Sequence, residues 1–189
     1  CLYWSGSKGG WLLALLASLV ALMQFKFSKR IKVILIGVVL ALGLAGFVWK
    51  YAGFFQRGAT SVVARFDYWR VAWDSAVANP VFGTGPGTFS VAYAKVKRPE
   101  SEMARLTHND YLQQASDSGF PGFIFYTAFI IGVLRVGYSA LGNGPSRLRF
   151  GVWLRLFAWA LQALVEITPY VPSVAWPAFA LACWMLGTT

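Results

Sequence analysis

Three side chains in one polar stretch of this sequence suit work on a phosphate-type leaving group: Arg65, Arg70 and His108. An arginine fork meets phosphate oxygens bidentately and keeps its charge. Histidine has an ordinary pKa near neutrality, so it can take a proton from an attacking hydroxyl. Together they would supply what transfer off a diphosphate demands: fixed cations for the developing negative charge and a base for the nucleophile. Both arginines fall within residues 60–78. There Val62, Phe66, Trp69, Trp73 and Val77 recur at helical spacing and predict an amphipathic helix whose aromatic stripe lies in a membrane interface. On that helix Arg70 has Asp67 three residues before it and Asp74 four after, whereas Arg65 has no carboxylate at either spacing. Arg65 is therefore expected to be the freer cation and Arg70 a secondary one. The plainer reading of Arg65 is a side chain that snorkels to lipid headgroups.

Thr107-His108-Asn109-Asp110 reads as a capping box opening a helix that runs through Ser118 and is closed by Gly119. In the first turn of such a helix the positive end would favour neutral imidazole, or would hold an anion beside His108; a purely structural histidine is the third option. Lys8, among Gly6, Gly9 and Gly10, is a point charge suited either to a diphosphate or to interfacial anchoring. Arg105, three residues before His108, is a further candidate cation, and Asn109 a secondary candidate. Lys95, Lys97 and Arg98 read as a solvated face or a contact to anionic headgroups. Glu100-Ser101-Glu102 is the acidic pair that most resembles a metal site, but basic neighbours compensate it and no metal is expected. Gly83-Thr84-Gly85-Pro86-Gly87 lacks the Gly-Lys-Ser/Thr of a Walker loop, and Pro86 removes a donor, so it reads as a turn. Glu166, near the end of an apolar run, is a functional candidate whose role stays open.

The elements that must position these groups belong to a membrane protein. Of 189 residues, 57% are hydrophobic and 13% charged, more apolar than a soluble domain uses. Apolar runs at 11–27, 31–49, 120–141, 150–167 and 174–187 predict about five spans, an all-α integral membrane fold. Clusters at Lys26, Lys29, Arg30 and Lys32, and at Arg135, Arg147 and Arg149, place those ends in the cytoplasm. Residues 51–119 then form a large helical extracytoplasmic loop between a transmembrane hairpin (1–50) and C-terminal transmembrane helices (120–189). That loop holds seven basic and six acidic residues, while the rest of the chain holds ten and one. The basic excess flanks apolar runs instead of gathering on a soluble face, so nucleic acid is not the expected partner and membrane lipid is. Cys1 and Cys183, without a CxxC or Cys/His cluster, indicate neither a disulfide framework nor a zinc site. An apolar run beginning within about ten residues of Cys1, with no preceding leader, suggests a fragment of a longer polytopic protein.

The order of short motifs adds a resemblance. Ser5-Gly6-Ser7-Lys8-Gly9-Gly10, then Arg65 and Trp69, then the run from Asn79 to Phe89, and finally His108-Asn109-Asp110-Tyr111-Leu112 with Gly119 and Gly122, resemble the O-antigen ligase and polymerase family over residues 5–125. The resemblance implies a GT-C-like fold in the bacterial inner membrane with the loop on the periplasmic side. It implies transfer of a glycan from undecaprenyl diphosphate to a hydroxyl on lipid A core or another glycan, with loop Arg and His residues and no metal or cofactor. His108 and Arg65 would be catalytic, and Lys8, Arg65 and Arg105 would hold the diphosphate. Two departures are Lys8, where the family usually has Arg, and the absence of preceding spans. One branch similar to this family has been described as a bicarbonate transporter. A small-anion transporter, which needs a polar path that only Gln24, Gln162 and Glu166 begin to offer, and a non-catalytic membrane subunit are the rival readings.

Overall fold

The computed structural model describes residues 4, 7–56, 60–99, 101–141 and 147–187, and every regular element among them is helical. It divides into two compact units, residues 1–59 and 60–189.

The first unit is a helical hairpin of α1, Lys8–Gln24, and α2, Lys29–Gln56. Ser7 caps α1 by accepting from the Gly10 N–H at 3.0 Å. Trp11 Nε1 donates to the Gly43 carbonyl at 3.0 Å, and a Cβ on Gly46 would lie 3.1 Å from the Trp11 ring. At the tip, Lys32 Nζ donates to the Met23 carbonyl at 2.9 Å, satisfying one of the last carbonyls of α1 with a cation. The apolar residues of α2 are exposed along its length, Val33, Leu42, Val48 and Trp49 among them, as suits a helix solvated by lipid. α2 runs seven residues beyond the sequence expectation, because Lys50 and Tyr51 continue the helix instead of ending it.

The second unit comprises α3 (Thr60–Ala78), α4 (Phe89–Val96), α5 (Asp110–Ala140), α6 (Arg147–Gln162), a 3-10 turn (Thr168–Tyr170) and α7 (Pro172–Gly187). α5 has 31 residues, about 46 Å at 1.5 Å per residue against roughly 30 Å of hydrocarbon. Gly119, with φ 68° and ψ −171°, breaks it into a polar segment and an apolar one. The closing role expected of Gly119 is therefore a kink, after which the chain resumes as a helix.

That kink is where a neighbouring backbone crosses. Thr84 N–H donates to the Ser116 carbonyl at 2.8 Å, Gly85 N–H to the Asp117 carbonyl at 3.0 Å, and Phe120 N–H to the Pro80 carbonyl at 2.8 Å. A Cβ on Gly83 would lie 2.5 Å from the Asp117 backbone, and one on Gly119 would lie 2.6 Å from the Pro80 carbonyl oxygen. Glycine is required at both positions by the crossing and by positive φ. The glycine-rich turn thus pins α3 to the start of α5.

One apolar core gathers Val133 of α5, Val152 and Leu156 of α6, and Ala178, Ala182 and Met185 of α7. A second joins Tyr68 and Ala72 of α3 to Phe89 and Tyr93 of α4. Between the elements lies a buried polar chain in which Thr107 N–H donates to Gln113 Oε1 (2.9 Å) and Gln113 Nε2 donates to the Asp117 carboxylate (2.9 Å). Two helices, α5 and the Lys29–Phe54 stretch of α2, are long and apolar enough to cross a membrane; α1 and α7 are shorter apolar helices.

Candidate active site

Arg65 sits on α3 with no carboxylate three or four residues away along the helix. It is nevertheless not free: its guanidinium donates to Glu166 Oε1, 101 residues later. The expectation that Arg65 is the freer of the two cations fails because helical spacing cannot register a tertiary partner. Arg70 lies 3.9 Å from Asp74 Oδ2 and is largely exposed; its other expected partner, Asp67, instead pairs with Arg98 at 3.7 Å.

His108 also departs from expectation. The N-cap of α5 is Asn109, whose side chain accepts from the Leu112 N–H at 3.0 Å, and the helix begins at Asp110. Thr107 does not cap; its hydroxyl donates to the Asn109 carbonyl at 2.7 Å and accepts from the Asn109 N–H at 3.2 Å. His108 therefore lies before the cap, outside the first turn, with φ 53°. The left-handed conformation is uncommon for a side chain other than glycine and is held by a buried neighbour on each side, Thr107 and Asn109. The first-turn placement expected of His108 is therefore not seen, and its ring faces a carboxylate instead: Nδ1 lies 3.4 Å from Glu166 Oε2. Tyr68 stacks on the imidazole at 5.9 Å between ring centroids, 30° from parallel.

Glu166 is thus the hub. It follows α6 in the turn 163–167, with its N–H donating to the Gln162 carbonyl at 2.9 Å. One oxygen faces Arg65 and the other His108. Burial works against its ionisation, but the hydrogen bond from His108 and the charge of Arg65 outweigh it and hold the carboxyl below its ordinary range. The three side chains are about one quarter to one third exposed (26%, 35% and 34% for Arg65, His108 and Glu166), so the cluster is half-sheltered yet open to a ligand. Sequence reading marked Glu166 as ionisable near the end of an apolar run but carried no signal for its partners.

The remaining candidates have their own surroundings. Arg105 is exposed and forms no ion pair among the described residues. Lys8, in the first unit, begins α1 with its ammonium 3.7 Å from the Phe54 ring centroid and 5.5 Å from that of Tyr51, a cation–π arrangement. Ser5, Gly6 and Glu100 lie outside the described residues, so the glycine-flanked setting of Lys8 and the acidic pair with Glu102 are each seen only in part. Lys97 Nζ donates to the Arg98 and Ser101 carbonyls, which makes it a local staple.

Chemically, the cluster joins a group that can accept a proton, a carboxylate that can orient it and a guanidinium with donors to spare, since Arg has five N–H groups and one nitrogen meets Glu166. A family model described as O-Antigen ligase matches residues 1–127, a range containing Arg65 and His108. No curated protein matches the chain.

Proposed function

The chain belongs to the O-antigen ligase family, and from that footing we propose that it transfers a glycan from an undecaprenyl-diphosphate carrier to a hydroxyl acceptor on lipid A core or another glycan. The observation that carries this reading is the single carboxylate, Glu166, shared by a candidate base and a candidate phosphate cation.

With the His108 Nδ1 proton directed to Glu166, the basic nitrogen is Nε2, in the manner of a carboxylate-oriented imidazole. Nε2 takes the proton of the acceptor hydroxyl as its oxygen bonds to the anomeric carbon. The bond from that carbon to the diphosphate oxygen breaks, and the electron pair leaves with the diphosphate. Arg65, still tied to Glu166 through one nitrogen, offers its remaining donors to the charge that develops there. A single displacement inverts the anomeric carbon. Arg105 and Lys8 supply further positive charge for the donor, and no metal is required in the step.

In this proposal residues 51–119 face the periplasm of a bacterial inner membrane, and about five helices cross it in a GT-C-like arrangement. The domains are the hairpin 1–50, the loop 51–119 and the helices 120–189. The basic clusters at 26–32 and 135–149 support that sidedness. The test is a transfer assay with the full-length protein, a lipid-linked glycan donor and a lipid A core acceptor in excess chelator. Transfer with inverted anomeric configuration supports the reading; a rate that disappears with chelator and returns with Mg²⁺ contradicts it.

A further inference from the structure

Asp110 is fully buried, two residues after His108 and first in α5. Its bonds converge on one short segment. The Asp110 N–H donates to the Ala163 carbonyl at 2.8 Å, while Oδ2 accepts from the Thr168 N–H at 3.1 Å and from the Thr168 hydroxyl at 3.2 Å. Ala163 and Thr168 bracket Glu166. Oδ1 has no partner among the described residues, so no competing bond draws the carboxyl elsewhere.

We infer that Asp110 is a positioning residue: it clamps the turn carrying Glu166 onto the helix start that follows His108, and so sets the approach of the Glu166 carboxylate to the imidazole. The inference rests on the reading of His108 as base. Left to themselves, two neighbouring carboxylates would separate, and the charge of Glu166 disfavours ionisation of Asp110. The three bonds oppose that separation. Burial above all, against the Thr168 hydrogen bonds, lifts the Asp110 carboxyl to about 7. Charged or neutral, Oδ2 still offers a lone pair to Thr168, so the clamp does not depend on the charge. An asparagine amide oxygen can take the same place.

The experiment compares Asp110→Ala, Asp110→Asn and Thr168→Val, each alone and combined with Glu166→Gln, in the full-length protein. Asp110→Ala is expected to lower kcat about tenfold while leaving the donor KM within about twofold. In the Glu166→Gln background it should cost almost nothing more, since a residue acting through Glu166 has nothing left to position. Asp110→Asn should keep the parent kcat, and Thr168→Val, which removes the hydroxyl but keeps the N–H, should show an intermediate loss with the same dependence on Glu166. An equal loss in both backgrounds, or a rise in KM matching the fall in kcat, overturns the inference.

A second readout needs no turnover: the rate at which diethyl pyrocarbonate modifies the peptide bearing His108, followed by mass spectrometry. Freeing Nδ1 from Glu166 should speed modification most in Glu166→Gln, less in Asp110→Ala and least in Thr168→Val, without addition in the double variants. Absence of transfer in the parent protein would refute the proposed function alone. Unchanged modification rates in folded Thr168→Val and Asp110→Ala proteins would refute the clamp.

Discussion

Arg65 and Glu166, 101 residues apart in sequence, form an ion pair whose carboxylate also reaches His108. This relationship orders the consequences of substitution. Glu166→Gln keeps the shape of the side chain but cannot orient an imidazole proton as a carboxylate does, and turnover is expected to fall about 100-fold. Arg65→Ala should abolish transfer in folded protein. Arg70, exposed and paired only with Asp74 at 3.9 Å, should lose no more than a few tenths of a kcal/mol of stability as Arg70→Ala, with turnover retained. Turnover and thermal unfolding of the three purified variants check this ranking.

The crossing of the glycine-rich turn over the α5 kink gives a stability prediction. Gly119→Ala places a Cβ 2.6 Å from the Pro80 carbonyl oxygen at φ 68°, so destabilisation should exceed about 1 kcal/mol. Gly83→Ala, 2.5 Å from the Asp117 backbone at φ 65°, should behave alike. Gly132, where a Cβ meets nothing within 4 Å, is the control: Gly132→Ala should be neutral or stabilising in the same thermal unfolding experiment.

Much of this arrangement was legible in the sequence, and the gaps have physical causes. The helix at 60–78 and the break at Gly119 depend on local periodicity and on residues that restrict or free the backbone, so neighbours in sequence suffice to read them. The cap was misplaced by two residues, because the positive φ of His108 turns the chain between Thr107 and Asn109 and hands the capping to Asn109. Glu166 could not be joined to Arg65 or His108 by any spacing rule, since the pair forms only when the turn after α6 folds onto α3 and α5. The glycine run reads as a turn; that Gly83, Thr84 and Gly85 press backbone on backbone against α5 is visible only in three dimensions.

Two carboxyls carry opposite pH signatures. Glu166 is held below its ordinary 4.5 in the folded protein. The stability it contributes is fully present above 4.5 and is lost as pH falls through the lower folded value. Asp110 is raised from 3.8 to about 7, mainly by burial. Between those values the folded protein binds more protons than the unfolded one, so its contribution falls as pH rises across that window. Unfolding measured from pH 3 to 8 should therefore show Glu166→Gln removing the acid-side loss and Asp110→Asn flattening the decline toward neutrality.

The proposed sidedness is checked by single cysteines. Lys95→Cys should be labelled by an impermeant thiol reagent from the periplasmic side, and Arg30→Cys only after the cytoplasmic face is opened. The reverse pattern would invert the arrangement of the whole chain.

The assignment of His108 to the chemical step is tested most directly by single-turnover transfer with His108→Ala in the full-length protein, measured beside binding of the lipid-linked donor. A base removed from its place should lower the transfer rate by about 10² to 10⁴ while donor binding is unchanged. Transfer at the parent rate, or a loss of donor binding in proportion to the loss of rate, would contradict the account.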